Sequence, residues 1–216
     1  MRTTILVLAL HVAIGVNAFA QDDLFDGDVF LGYSLFRVNS AQQKVPAFFA
    51  NGGVGTIAWN INNHLGIEAE VAGHHNGSTF DTTTFSYLFG PRISYGRPKR
   101  FDPYLHVLLG GMHLETSIDA RSALVPTPHP LPAPSSGRYE SSQDNFALAV
   151  GGGIDIKVNH HILFRPVQID YLHTQFQTPT FLVESQGLAP STNKNQHNVR
   201  FATGFVFNWN DESVHQ

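Results

Sequence analysis

Seven ionisable residues, Glu68, Glu70, Arg92, Asp155, Lys157, Asp170 and Arg200, sit at alternating positions in segments that otherwise swing between one large apolar and one small side chain. Carboxylates and cations gathered on one face of a sheet can neutralise one another in a network of ion pairs, or line a path for ions. The pairing chemistry is favoured here, because an enclosed space just wide enough for side chains leaves each ion dependent on an opposite charge beside it. A narrow gated pore is the competing reading.

Other residue types suggest further chemistry and carry less of it. Twelve histidines include His74-His75, His160-His161, His173 and His197 at strand ends or in loops, where they are expected to be solvated rim residues. Their spacing matches no zinc pattern, so no metal is expected. His173 and Thr174 are the one tempting nucleophile-and-base pair, but threonine is a poor nucleophile and no acid stands in place to orient the imidazole. Gly151-Gly152-Gly153 lies inside a strand and opens no helix, so it reads as a place of close packing and not as a phosphate loop; no cofactor is expected. The triplet Asn76-Gly77-Ser78 matches a glycosylation sequon and is given no role.

The elements that must hold these residues are strands. In 145–158, Phe146, Leu148, Val150, Ile154 and Ile156 alternate with Ala147, Ala149, Gly151, Gly153, Asp155 and Lys157. The same sorting places Phe85, Tyr87, Phe89 and Ile93 opposite Thr84, Ser86, Gly90 and Arg92. It also places Val199, Phe201, Phe205 and Phe207 opposite Arg200, Ala202 and Gly204. In 65–73, Leu65, Ile67 and Val71 oppose Glu68 and Glu70. Charges thus share a face with small residues, and the large apolar side chains face something greasy. A soluble domain would do the reverse; a barrel in a bilayer has an apolar outside and a polar inside. Eight such strands are expected, at 28–39, 52–60, 65–73, 82–95, 103–114, 145–158, 162–177 and 196–210, with no helical periodicity. Arg165 breaks the sorting unless a bulge at Pro166 shifts the register, and Pro91 is expected near the periplasmic end of its strand.

The connections alternate between tight (61–64, 96–102, 159–161) and long (40–51, 74–81, 115–144, 178–195), as outer membrane barrels alternate periplasmic turns with extracellular loops. The third long one carries Pro126, Pro128, Pro130, Pro132 and Pro134 and cannot be regular structure. Residues 1–20, with Arg2, an apolar run and Ala18-Phe19-Ala20, read as a cleaved signal peptide, leaving 21–216 as one domain. That run is too short to span a bilayer as a helix. A net charge of -4 without a basic patch excludes a nucleic-acid partner, and there is no cysteine for a disulfide. The expected fold is therefore all-β: an eight-stranded, antiparallel, up-and-down transmembrane β-barrel in a Gram-negative outer membrane, with both termini periplasmic. Tyr33, Tyr95, Tyr104, Tyr171 and Trp209 are candidates for its interfacial aromatic girdles.

The segments Gly151-Gly152-Gly153-Ile154-Asp155, Arg165-Pro166-Val167-Gln168-Ile169-Asp170-Tyr171-Leu172 and 199–207 resemble the last three strands of the small OmpA-like outer membrane β-barrel proteins. That resemblance implies a monomeric barrel domain in contact with outer membrane lipid and delivered by periplasmic chaperones. It also implies that the insertion machinery reads Phe207 or Trp209 near the end of the last strand, before Asp211 to Gln216. The peptidoglycan-binding domain that follows the barrel in OmpA itself is expected to be missing, so no cell-wall tether is implied. The expected role is structural or surface-interactive, through an unknown extracellular ligand of the long loops, with no catalysis. A lipocalin-like soluble ligand-binding barrel and a lipid A-modifying barrel enzyme are the alternatives.

Overall fold

The computed structural model describes residues 27–39, 47–77, 81–95, 100–119, 137–177 and 195–209. The expected signal peptide, the proline-rich segment and the tail after Trp209 lie outside the described residues. Eight strands follow one another: β1 Gly27–Val38, β2 Phe48–Asn60, β3 Leu65–Gly77, β4 Asp81–Ser94, β5 Phe101–Asp119, β6 Arg138–Lys157, β7 Ile162–Gln175 and β8 Asn195–Asn208. Each pairs antiparallel with its sequence neighbours, and β1 pairs with β8, so the sheet closes into a barrel with no free lateral edge. Closure is what allows a sheet to sit in hydrocarbon, where an unpaired backbone N–H or C=O has no water to bond.

The strands are tilted, as a closed sheet demands. From Phe30 the register runs through Thr56, Glu70, Leu88, Gly110, Ala147 and Thr174 to Gln196 on β8. Phe30 itself pairs with Val206, ten residues further along that strand. This offset is the shear that turns parallel rows of side chains into a helical wrapping of the interior.

Two of the turns at one end share a construction. Asn62 Oδ1 accepts from the His64 and Leu65 backbone N–H groups at 2.9 Å each, and Asn159 Oδ1 accepts from those of His161 and Ile162 at 2.9 and 2.8 Å. An asparagine side chain that mimics a backbone turn is the reason the motifs Ile61-Asn62-Asn63-His64 and Val158-Asn159-His160-His161 reverse the chain so tightly.

At the opposite end several strands run further than their apolar alternation does. Residues 74–77, expected in a loop, belong to β3, which leaves only 78–80 between β3 and β4. β5 and β6 continue as a paired ribbon to Asp119↔Arg138, although 115–144 reads as loop in the sequence. Alternation marks a strand only where its two faces meet different media; beyond the bilayer the outward face of the ribbon is polar while the inward face mixes Leu114 and Ile118 with Thr116, Ser141 and Gln143, and the ladder persists with a blurred signature.

The outward positions form an apolar belt in which Leu105 is 67% exposed, Phe89 57% and Tyr87 56%. Pro91 lies outward, three residues from the short-turn end of β4, and there the β4–β5 ladder skips from Phe89↔Leu109 to Arg92↔His106. Its missing N–H thus costs one rung where the ladder is already interrupted.

A candidate functional site in the barrel lumen

Period-two geometry aims every second side chain of a strand into the lumen, so seven of the eight strands can each send polar groups to one place. Asp28 comes from β1, Glu68 and Glu70 from β3, Arg92 from β4 and Tyr104 and His106 from β5. Asp155 comes from β6, Arg165, Gln168 and Asp170 from β7, and Arg200 from β8; all are buried.

They form one continuous network. Arg165 grips Asp155 through two bonds, Nε to Oδ1 at 2.7 Å and Nη2 to Oδ2 at 3.0 Å, and its Nη1 donates to Gln168 Oε1 at 2.7 Å. Arg92 Nη2 reaches the same Asp155 Oδ2 at 2.9 Å, while its Nη1 lies 3.8 Å from Glu68 and 3.9 Å from Asp28. Gln168 Nε2 donates to Asp170 Oδ2 at 2.9 Å, and Arg200 bonds Asp170 and Glu70 through Nη2, both at 2.6 Å. His106 ties the two halves together, with Nδ1 3.2 Å from Glu68 Oε1 and Nε2 2.9 Å from Asp170 Oδ1. Both contacts are hydrogen bonds when the ring carries two protons. Tyr104 donates to Gln168 Oε1 at 2.8 Å, and the guanidiniums of Arg92 and Arg165 lie 4.0 and 4.4 Å from its ring centre.

The glycine triplet makes room for this network. A Cβ on Gly151 would strike the Asp170 carboxylate and the Ile169 carbonyl, and one on Gly153 would meet the Tyr104 ring. Above the network, toward the long connections, Phe36, Val38, Leu88, Leu108, Met112, Leu172 and Phe176 form an apolar layer; Phe30, Val54, Ala72, Ala202 and Val206 pack a second one beside β8, β1, β2 and β3. Arg92, Arg165, Arg200, Gln168, Glu68 and Glu70 expose less than 2% of their surface even to internal space, so the lumen at their level is packed with side chains.

Of the residues expected in the lumen, Glu68, Glu70, Arg92, Asp155, Asp170 and Arg200 meet there, and Lys157 stays half-buried at the end of β6, two positions beyond Asp155. Tyr33, Tyr95, Tyr171 and Trp209 face outward. Tyr104, expected in the outer girdle, is a correction: it is 3% exposed and inside the network, because outward Pro103 and Leu105 leave it the inward phase. Gln168 keeps the side it shares with Asp170, Arg165 enters by the register shift on which its place depended, and His106 and Asp28 were not anticipated. His106 hides in a stretch that reads apolar on both sides. Arg165 comes inside through a bulge, since the β7–β8 register shifts between Arg165 and Gln168. Asp28 shares the phase of Gly32 and Ser34 and could have been found by extending the alternation backward.

His74, expected on the solvated rim, is buried, with Nε2 2.8 Å from Ser34 Oγ and Nδ1 3.5 Å from Thr84 Oγ1. This serine and imidazole are sealed from any substrate, and a threonine takes the place of an orienting acid. His173 faces outward while Thr174 faces inward and accepts from Asn198 Nδ2 at 3.0 Å, so the two cannot act together. Among the described residues no three His, Asp or Glu side chains converge as metal ligands.

The barrel is similar to solved outer membrane proteins. Ail, the attachment invasion locus protein of Yersinia pestis, matches at 14% identity and TM-score 0.54, over 86% of this chain and 99% of that one. Neisserial surface protein A matches at 13% identity and TM-score 0.57, over 85% and 97%. OprG of Pseudomonas aeruginosa matches at 16% identity and TM-score 0.50, over 89% and 99%. A search of curated proteins finds no significant match. The model of the outer membrane protein beta-barrel domain matches residues 6–211, and the chain belongs to that family.

Proposed function

We propose that this barrel serves the bacterial outer membrane as an envelope element and surface-interaction platform, without catalysis and without a standing pore. The observation that carries this reading is the contrast between a packed lumen and the paired β5–β6 ribbon, whose rungs continue to Asp119↔Arg138 beyond the apolar belt. The ribbon offers water a continuous polar surface on a rigid base, a form suited to binding. Its outermost described rung is held by Arg138, which donates to Ser117 Oγ at 2.7 Å and to Asp81 Oδ2 at 3.2 Å.

Attachment and surface location are in the names of the barrels similar to this one. The partner chemistry differs from one suggestion among them. Ail has been solved with the heparin analogue sucrose octasulfate, but here Glu115, Asp119, Glu140 and Asp144 outnumber Arg138 on the ribbon. Like charges repel, so a neutral or cationic surface suits this rim better than a sulfated one.

The experiment is display of the chain on a non-adherent bacterium, followed by counts of cells retained on host-cell monolayers. Retention above the empty-vector control, reduced by the triple substitution E115Q/D119N/E140Q, is the expected result. Retention equal to the control on every surface tried removes the interaction reading.

A further inference from the structure

The β7–β8 register sets His173 directly opposite His197, with the imidazole centroids 5.3 Å apart and the planes inclined by 48°. Residues facing each other across an antiparallel pair hold their Cβ atoms about 4.5–5.5 Å apart, a span two metal–nitrogen bonds of about 2.0–2.1 Å can bridge. The pair occupies the outer face one step beyond Tyr171 and Val199, where the apolar belt ends, so solvent and ions reach it.

The surroundings orient one ring. The Tyr171 hydroxyl lies against His197 Nδ1, and the His197 carbonyl accepts from Asn39 Nδ2, which ties β8 to the end of β1. A ring whose Nδ1–H donates to the tyrosine oxygen presents Nε2 outward with its lone pair free, the arrangement that metal-binding histidines use. Two other outward imidazoles of the described residues face carboxylates instead: His75 Nδ1 lies 3.5 Å from Asp81, and His113 Nδ1 2.8 Å from Asp144.

We propose that His173 and His197 form a two-imidazole site for a divalent first-row transition metal at the long-connection rim of the barrel. Two neutral nitrogen donors disfavour a hard cation such as calcium or magnesium, which takes oxygen ligands. Borderline ions of the copper, nickel and zinc group suit them, copper(II) most strongly. Gln175 and Asn195, paired on the next rung, offer amide oxygens to a coordination shell completed by water.

The test is a copper(II) titration of the mature protein folded in detergent and made without a histidine tag, followed by calorimetry and by electron paramagnetic resonance. One saturable site with splitting from two imidazole nitrogens is expected. H173A and H197A should each abolish it, Y171F should weaken it about tenfold, and H75A/H113A should leave it unchanged. Unaltered copper binding in H197A overturns the proposal, as does loss of the site in H75A/H113A. Should H173A or H197A fail to fold, the wild-type spectrum decides: without two-nitrogen splitting there is no such site.

Discussion

Asp155 and Arg165 meet as a two-bonded pair at 2.7 and 3.0 Å, and each sits where its strand leaves regular register. The β6–β7 pairing shifts between Ile154 and Ile156, on either side of Asp155, and the β7–β8 pairing shifts between Arg165 and Gln168. A bulge re-aims a side chain. Here it turns a guanidinium that strict alternation would press into lipid onto the carboxylate that neutralises it.

Breaking this pair from one side strands a buried ion. Arg165→Gln leaves Asp155 held by Arg92 alone, and Asp155→Asn removes the negative charge that both arginines share. Each should lower unfolding free energy by about 3–5 kcal/mol in guanidinium titrations of the detergent-folded protein. The double variant D155N/R165Q should lose less than the sum of the two, because no charge of the pair is then left alone. Additive losses would show that the two residues act separately.

Close packing against the glycine triplet gives a second test. Gly151→Ala drives a methyl group into the Asp170 carboxylate and the Ile169 backbone, whereas the same change at Gly73 places Cβ 3.9 Å from the Thr84 carbonyl, an ordinary contact. The first should cost about 1–3 kcal/mol and the second close to nothing. Equal stability of the two variants in the same denaturant series would mean that the lumen yields at Gly151.

Much of this was legible from the order of residues. Alternation alone separates Phe85, Tyr87 and Phe89 from Thr84, Ser86 and Arg92, because lipid and a polar interior impose opposite demands on neighbouring residues. Tyr104 and His106 escaped because Leu105, Val107, Leu108 and Leu109 surround them with apolar residues of both phases; Leu108 belongs to the apolar layer of the lumen, not to the belt. The β5–β6 ribbon escaped because its outward face is polar and its inward face intersperses Leu114 and Ile118 with Thr116, Ser141 and Gln143, so little apolar alternation is left. The cross-strand meeting of His173 and His197 depends on how β7 and β8 register, which neither sequence segment contains by itself.

The outward belt can be probed by charge. Val107 faces out near the middle of the apolar stretch of β5, and Glu115 faces out beyond it. Val107→Arg should destabilise the barrel by about 2–4 kcal/mol when folding is measured into lipid vesicles, the cost of an arginine near the bilayer midplane. Glu115→Arg should stay within about 0.5 kcal/mol of the parent, as surface changes usually do. If Val107→Arg is as harmless as Glu115→Arg, the face around Val107 does not meet hydrocarbon.

Packing of the lumen bears on conduction most directly. An ion entering from the short-turn end meets Arg92, Arg165 and Arg200 already bonded to carboxylates, and beyond them Leu108, Leu172 and Phe176, each no more than 2% exposed. To pass, it would have to shed water, displace internal ion pairs and cross an apolar layer whose polar neighbours, Thr174 with Asn198 and Ser34 with His74, are already bonded to one another. Planar bilayers holding the purified barrel should therefore show no steady conductance. Leu108→Ala and Leu172→Ala should each leave conductance absent, because the charged layer beneath still closes the path. Steady openings in the wild-type protein would mean that the ion pairs exchange partners and that the apolar layer admits water.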